Sequence, residues 1–464
     1  MHSLKFGTSG LRGLAVELAG PPAYDYTVAF LKAVPSPSAI AIGQDLRSSS
    51  PTIAQWVAGA AQAMGIDIIN LRALPTPALA LFCDSHRVPG IMITGSHIPD
   101  DRNGLKFYTS DGEINKDDEA AILAAYAPSE NPMQSTLPAQ DESAVAAFKA
   151  RYAAPFNGAL SGLTVGVYQH SSVARDVLMD ILANAGARPV ALGRSDTFIP
   201  VDTEALRPED TSSLAAWAAE QSMDAIISTD GDADRPLVAD ETGTFVLGDT
   251  VGALTARYLG ATAVATPVTS NSALEARLDT TIVRTRVGSP YVIEAMKNIT
   301  SGTIVGFEAN GGVLLGSDAT VNGHTIAALE TRDCVLPILS VLAEIKARGA
   351  ALSSIVADLA MNAKFADRLQ SYPRETSQAL IASIAEQDGP VYGLAHQLAQ
   401  AQGDEITVDN TDGLKFAIGT TSMHFRPSGN APELRVYCEA DTPQQAEQLA
   451  RQCLAIADNF RASA

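Results

Sequence analysis

The chain has 464 residues, 46% of them hydrophobic, and 32 Lys+Arg against 52 Asp+Glu leave a formal net charge of −20. At roughly 100–200 residues per domain the length implies several domains, and the apolar fraction lets each bury a core, which excludes disorder. The acidic balance excludes a general nucleic-acid binder, which needs a basic footprint, and no apolar run approaches the roughly 18 residues of a membrane span.

The opening, MHSLKFGTSGLRG, holds no apolar stretch of signal-peptide length, so a cytoplasmic protein is expected. Residues 38–43 read as a strand. Ile53, Trp56, Val57, Ala60 and Met64 then mark one helical face, and a second strand runs from Ile66 to Leu71. Residues 128–141 are polar and Pro-rich and read as a linker. A strand at 163–168 follows, with a helical face of Val173, Val177, Leu178, Ile181 and Leu182 behind it. Strands at 262–266, 281–285 and 303–305 continue the alternation, which implies α/β layers. Short strands at 414–418, 421–425 and 434–439 lie close together, as in an antiparallel sheet. A last helix starts at Pro443, where Thr442 and Gln445 form a capping box. The expected division is 1–149, 150–249, 250–365 and 366–464, with three α/β segments and an α+β one. Cys83, Cys334, Cys438 and Cys453 form no CxxC pair, which argues against a disulfide framework and a thiolate zinc site.

Three apolar strands end in polar, glycine-bearing loops at 94–99 (TGSHIP), 228–236 (STDGDADRP) and 306–312 (GFEANGG). Open α/β sheets bind ligands at the carboxyl ends of their strands, so three such loops can converge on one site. Asp230, Asp232 and Asp234 alternate on the second loop and suit a hard divalent cation, Mg²⁺ above others. An EF-hand does not fit, because its sixth position falls on Arg235 instead of Gly and a strand precedes the loop. Ser96 stands just beyond its strand, where it can serve as nucleophile or phosphate carrier, with His97 beside it and Lys106 close behind. Arg426, Ser428, Gly429, Asn430 and Arg435 combine guanidinium groups, a hydroxyl and backbone N–H groups of the kind a phosphate monoester needs. Thr8, Ser9 and Arg12 sit among glycines at 6–13 without the GxxxxGK[ST] spacing of a nucleotide P-loop. Glu308 and Asn310 pair a carboxylate with an amide that can read adjacent sugar hydroxyls. Each loop taken alone is also an ordinary turn.

In this order the motifs resemble those of the α-D-phosphohexomutase superfamily, the phosphomannomutase/phosphoglucomutase group, over nearly the whole length. FGTSGLRG is similar to its N-terminal signature, TGSHIP to its phosphoserine loop and DGDADR to its DGDGDR metal loop. GFEANGG is similar to the sugar-recognition loop and RPSGNAPELRVYCEA to the phosphate-binding segment. The resemblance implies three similar α/β domains and a smaller α+β C-terminal domain around a central cleft. It implies that Ser96 is phosphorylated and that Mg²⁺ is held by Asp230, Asp232, Asp234 and the phosphorylated Ser96. It places Glu308 and Asn310 on the sugar, and Arg426, Ser428, Gly429, Asn430 and Arg435 on the phosphate that is not reacting. The implied reaction is a mutase: phospho-Ser96 donates to a hexose 6-phosphate, and a hexose 1,6-bisphosphate, which also serves as activator, turns over. Ser96 then takes back the other phosphoryl group. Arg235 and Arg12 would add positive charge. Lys106 is the first candidate base, on the argument that neighbouring cations lower its pKa, and His97 is the second. Hexose phosphates are the expected partners, mannose phosphate ahead of glucose and glucosamine phosphate, for a monomer or homodimer that binds neither nucleic acid nor membrane. The sequence departs from the family pattern at Gly95, Ile98, Asn310, Gly312, Asn430 and Ala431. A metal-dependent phosphatase is the weaker alternative, since none of the 7 His falls in an HxH or HExxH pattern.

Overall fold

The apolar runs separated by amphipathic helices assemble into mixed sheets covered by helices. A computed structural model describes residues 4–7, 10–385, 390–428 and 432–463. The chain forms two units, the first of residues 1–264 and 288–356 and the second of residues 265–287 and 357–464. No helix among the described residues is long and apolar enough to cross a membrane.

In the first unit, the strand Ala39–Gln44 runs parallel to Asp67–Ala73 on one side and to Gly90–Ile93 on the other. Gly90–Ile93 then pairs antiparallel with Arg102–Thr109. The helix Ser50–Ala63 lays Ile53, Ala54, Val57, Ala58 and Ala61 against Ile40, Ile42, Ile91 and Ile93. Each aliphatic side chain buried this way contributes about 1.5–3 kcal/mol. A second sheet centres on Ala225–Thr229, parallel to Thr164–His170 and antiparallel to Pro236–Ala239. It is buried on both faces, which is why its sequence, AIIST, does not alternate. A third set, Ile304–Phe307, Val313–Leu315 and Leu329–Asp333, pairs antiparallel.

The three polar loops therefore occupy equivalent places. Each leaves a buried strand and returns as its antiparallel neighbour: Gly90–Ile93 to Arg102–Thr109, Ala225–Thr229 to Pro236–Ala239, and Ile304–Phe307 to Val313–Leu315. The weak repeat in the sequence is a repeated hairpin.

The Pro-rich stretch 128–141 is not a free linker. The Asn70 amide donates to Pro138 O at 2.8 Å, Asp141 N donates to Asn70 O at 2.9 Å, and Ser135 N donates to Gln55 O at 3.0 Å. A Cβ on Gly59 would lie 1.8 Å from Met133 O, so glycine there lets the two backbones touch. Proline removes a donor but leaves its carbonyl, and the Asn70 amide satisfies that of Pro138 while Ser135 N and Asp141 N find acceptors on the domain.

In the second unit, Ala363–Leu369, Leu434–Ala440, Thr421–Pro427, Leu414–Ile418 and Thr407–Asp409 form an antiparallel sheet in that order. The boundary expected at 365/366 falls within Ala363–Leu369, which pairs with Leu434–Ala440 along its whole length. The helix Pro443–Ser463 opens on its capping box: Gln445 N donates to Thr442 Oγ1 at 3.3 Å, and Thr442 N to Gln445 Oε1 at 3.1 Å.

Candidate active site

Ser96 stands on the loop after Gly90–Ile93 with φ at +54°, in the left-handed region that non-glycine residues avoid. An anchor beneath it holds that conformation. Asp45 Oδ2 accepts from Thr94 Oγ1 at 2.8 Å and from Arg47 Nε at 3.0 Å, and Thr94 Oγ1 accepts from Ser96 N at 2.7 Å. Arg47 donates to the carbonyls of Ser96, Ile98 and Pro99 at 2.9, 2.7 and 2.9 Å. A Cβ on Gly95 would fall 2.7 Å from the Arg47 guanidinium carbon, which gives the departure at that position a steric reason.

The Ser96 hydroxyl donates to Asp230 Oδ2 at 2.5 Å and has His97 Nδ1 at 3.2 Å. Asp230, Asp232 and Asp234 are all buried, and their ligand atoms lie within 4.8 Å of one another. Thr76 Oγ1 donates to Asp232 Oδ2 at 2.6 Å. Lys106, on the strand after the serine loop, reaches Asp232 Oδ2 and Asp234 Oδ2, both at 2.6 Å. Arg235 Nη1 faces His97 Nδ1 at 2.9 Å, so that nitrogen accepts.

Burial, reinforced by Asp232 and Asp234, pushes the Asp230 carboxyl well above the ordinary range. Burial acts on Asp234 the same way, but Arg332, Lys106 and Arg235 outweigh it and hold that carboxyl down. Burial would also lower the Lys106 amine, but Asp232 and Asp234 overcome it and raise its pKa. This corrects the reason for naming Lys106 as base: carboxylates, not cations, dominate its surroundings. His97 is pushed well below its usual value by burial, then by Arg235 and Arg12, so the imidazole is neutral. Arg12, on Gly10–Leu14, is lowered to about 10 by burial and by Arg235 and Arg332.

One oxygen each of Asp232 and Asp234, both Oδ1, is buried with no hydrogen-bond partner among the described residues. Buried anionic oxygens without donors carry a large desolvation cost, and a hard cation offsets it. The donor set therefore fits Mg²⁺, with Asp230, Asp232, Asp234 and the Ser96 oxygen as the residues that would hold it.

The sugar-loop residues also lie in the first unit. Glu308 Oε2 accepts from Arg332 Nη1 at 2.9 Å, and Asn310 Oδ1 accepts from Gly312 N at 2.9 Å. Thr203 Oγ1 donates to Asn310 O at 2.8 Å and pins the loop. The phosphate-binding candidates belong to the second unit. There Arg426 and Arg435 face each other across Thr421–Pro427 and Leu434–Ala440, and Arg426 Nε donates to Asp412 Oδ2 at 2.9 Å. Ser428 N donates to Glu433 O at 2.8 Å, while Gly429 and Asn430, like Thr8 and Ser9, lie outside the described residues. The sequence reading missed Asp45, Arg47, Thr76 and Arg332, which no motif marks.

A sheet-and-loop unit that brings a serine hydroxyl onto a buried aspartate triad, with a carboxylate loop beside it, has the groups that metal-assisted phosphoryl transfer needs. The chain belongs to the phosphoglucomutase/phosphomannomutase family. The models of its α/β/α domains I, II and III match residues 3–133, 147–243 and 247–362, and that of its C-terminal domain matches 374–456. A phosphomannomutase of Sinorhizobium fredii is 46% identical over 470 residues, covering 97% of this chain and 98% of that one. A phosphomannomutase of Salmonella muenchen is 40% identical, covering 96% and 93%. A solved phosphoglucomutase/phosphomannomutase family protein of Burkholderia thailandensis superimposes with a TM-score of 0.77 at 17% identity, over 98% of this chain and 97% of that one.

Proposed function

We propose that this protein is a phosphomannomutase that interconverts mannose 6-phosphate and mannose 1-phosphate. The reaction runs through phosphorylated Ser96 and a hexose 1,6-bisphosphate. The observation that carries the reading is the Ser96 hydroxyl, held at a strained φ and 2.5 Å from Asp230 of the buried triad. The relatives at 46% and 40% identity, both named phosphomannomutase, support the choice of sugar.

Phosphoryl transfer requires positioning and charge neutralisation more than covalent assistance. Mg²⁺, when bound, supplies part of that neutralisation at the phosphoryl oxygens. The chain's residues supply the rest. In the first half the P–O bond at Ser96 Oγ breaks and one forms to the free sugar hydroxyl, whose proton ends on Oγ. In the second half the P–O bond at the other sugar oxygen breaks as Ser96 Oγ takes that phosphoryl group, and the Oγ proton passes by way of the site to the sugar oxygen that is released. Asp230 Oδ2 offers that proton a lone pair, whereas the Nδ1 lone pair of His97 is engaged by Arg235 Nη1 at 2.9 Å. Lys106, the first candidate base, has its ammonium held by two carboxylates, and His97, the second, is neutral with Nδ1 turned to Arg235, so Asp230 Oδ2 is the acceptor the hydroxyl already faces. Glu308 and Asn310 contact the sugar. Arg426, Ser428, Gly429, Asn430 and Arg435 hold the phosphate that is not reacting.

The test is turnover of mannose 1-phosphate, glucose 1-phosphate and glucosamine 1-phosphate, each with Mg²⁺ and a trace of hexose 1,6-bisphosphate. The highest kcat/KM is expected with mannose 1-phosphate. Absence of turnover with it would overturn the reading, and a higher value with another sugar reassigns the substrate within the family.

A further inference from the structure

Arg332 joins the two loops that the reading above assigns to cation and sugar. It stands on Leu329–Asp333 and is 3% exposed. Its Nε and Nη2 donate to Asp234 Oδ2 at 3.0 and 2.7 Å, and its Nη1 donates to Glu308 Oε2 at 2.9 Å. A guanidinium presents donors in a rigid fork, so one side chain fixes the orientation of both carboxylates.

Glycine at 312 makes the room. A Cβ there would lie 2.7, 2.9 and 3.1 Å from Arg332 Cδ, Cγ and Cβ. Unlike Gly311, at φ +86°, Gly312 is not in the left-handed region, so its backbone conformation does not demand glycine. The passage of the arginine arm does. With Arg332 in place, each carboxylate has one oxygen bonded to it and one that is not, the Asp234 oxygen having Arg235 Nε at 3.6 Å. Asp234 Oδ1 is buried without a hydrogen-bond partner, and Glu308 Oε1 takes no hydrogen bond among the described residues.

We propose that Arg332 is a positioning residue that sets one oxygen of Asp234 for the divalent cation and one oxygen of Glu308 for the sugar hydroxyls. A single side chain thereby couples cation binding to sugar recognition. The inference rests on the mutase reading of the site.

The experiment compares Arg332→Met, Arg332→Lys and Gly312→Ala with wild type. The readouts are Mg²⁺ affinity by titration calorimetry, kcat and KM with mannose 1-phosphate and glucose 1-phosphate, and the thermal midpoint in EDTA. Arg332→Met should weaken Mg²⁺ binding roughly 10- to 100-fold, as loss of an outer partner does. It should also lower kcat/KM about 100-fold, the scale of a misplaced group, and change the mannose-to-glucose ratio. Arg332→Lys keeps a point charge for Asp234 but not the fork, so Mg²⁺ affinity should recover while sugar discrimination does not. Gly312→Ala keeps the charge and displaces the arm, so KM should rise with folding intact. Mg²⁺ affinity, KM and sugar ratio all at wild-type values, with only the thermal midpoint lowered, would overturn the proposal. If Arg332→Met does not fold, the lysine and alanine variants decide by the same readouts. If wild type turns over neither sugar, the functional reading fails on its own, and Mg²⁺ titration still judges the Asp234 half.

Discussion

Ser96 illustrates how a functional residue is supported at the expense of local comfort. A non-glycine residue at positive φ costs on the order of 1–3 kcal/mol, and the hydrogen bonds that Arg47 donates to Ser96 O and Thr94 Oγ1 accepts from Ser96 N offset it. Ser96→Ala should keep this loop, since only the hydroxyl is lost. Its turnover should fall by at least about 10⁴-fold, the scale of a lost nucleophile. Intact-mass measurement should show a phosphorylated fraction in wild type and none in the variant; an equally phosphorylated variant would move the carrier elsewhere. Asp230, Asp232 and Asp234 carry the opposite tension, three like charges buried together. Asp230→Asn should therefore melt a few degrees higher than wild type in EDTA and gain little from Mg²⁺, while losing activity. A lower midpoint in EDTA would show that Asp230 is not under repulsion. The sequence revealed these residues because each sits in a short loop whose neighbours share its chemistry. Arg332 and Thr76 were not legible: their aspartate partners lie 98 and 156 positions away, and nothing near either residue announces them.

The elements were legible where one periodicity dominated. Strands at 281–285 and 414–418 appear as read, and the capping box of the last helix is formed. What periodicity could not show is what an irregular segment rests on. Residues 128–141 have linker composition, yet Asn70, Gln55 and Gly59 fasten them to the first sheet and its helix. Composition reports that a segment cannot form its own core; it does not report that a neighbour supplies hydrogen-bond partners for its backbone. Gly59→Ala tests the strap as an element. The added methyl would sit 1.8 Å from Met133 O, closer than any side chain can yield, so the strap must lift. The expected cost is about 1–3 kcal/mol, as for overpacking. Limited proteolysis should cut the variant faster within 128–141, with the rest of the chain resistant. An unchanged cleavage rate would show that the strap is held elsewhere.

At the scale of the whole molecule, the net charge of −20 describes the surface and not the site. Lys106, Arg235 and Arg332 are buried around the aspartates, so phosphate binding does not conflict with an acidic protein. The surface charge also bears on the acid limb of stability. Protonating surface carboxylates near pH 4 relieves repulsion, so any loss of stability above that range has another source. Buried histidines provide one in each unit. His170 Nε2 donates to Thr229 O at 2.9 Å and His424 Nε2 to Asp412 O at 2.6 Å, and burial lowers both to about 4. For a base whose folded pKa lies below the unfolded value of about 6.5, the unfolded chain binds the proton first. Stability should therefore be full above about pH 6.5 and fall as pH drops towards 4, by roughly 3 kcal/mol for each histidine at the limit. Chemical denaturation at pH 7, 6 and 5 should show the falling midpoint. His170→Gln and His424→Gln, which retain an amide donor but do not titrate, should each flatten it. Midpoints that change with pH in the two variants just as in wild type would show that neither histidine is held neutral by the fold.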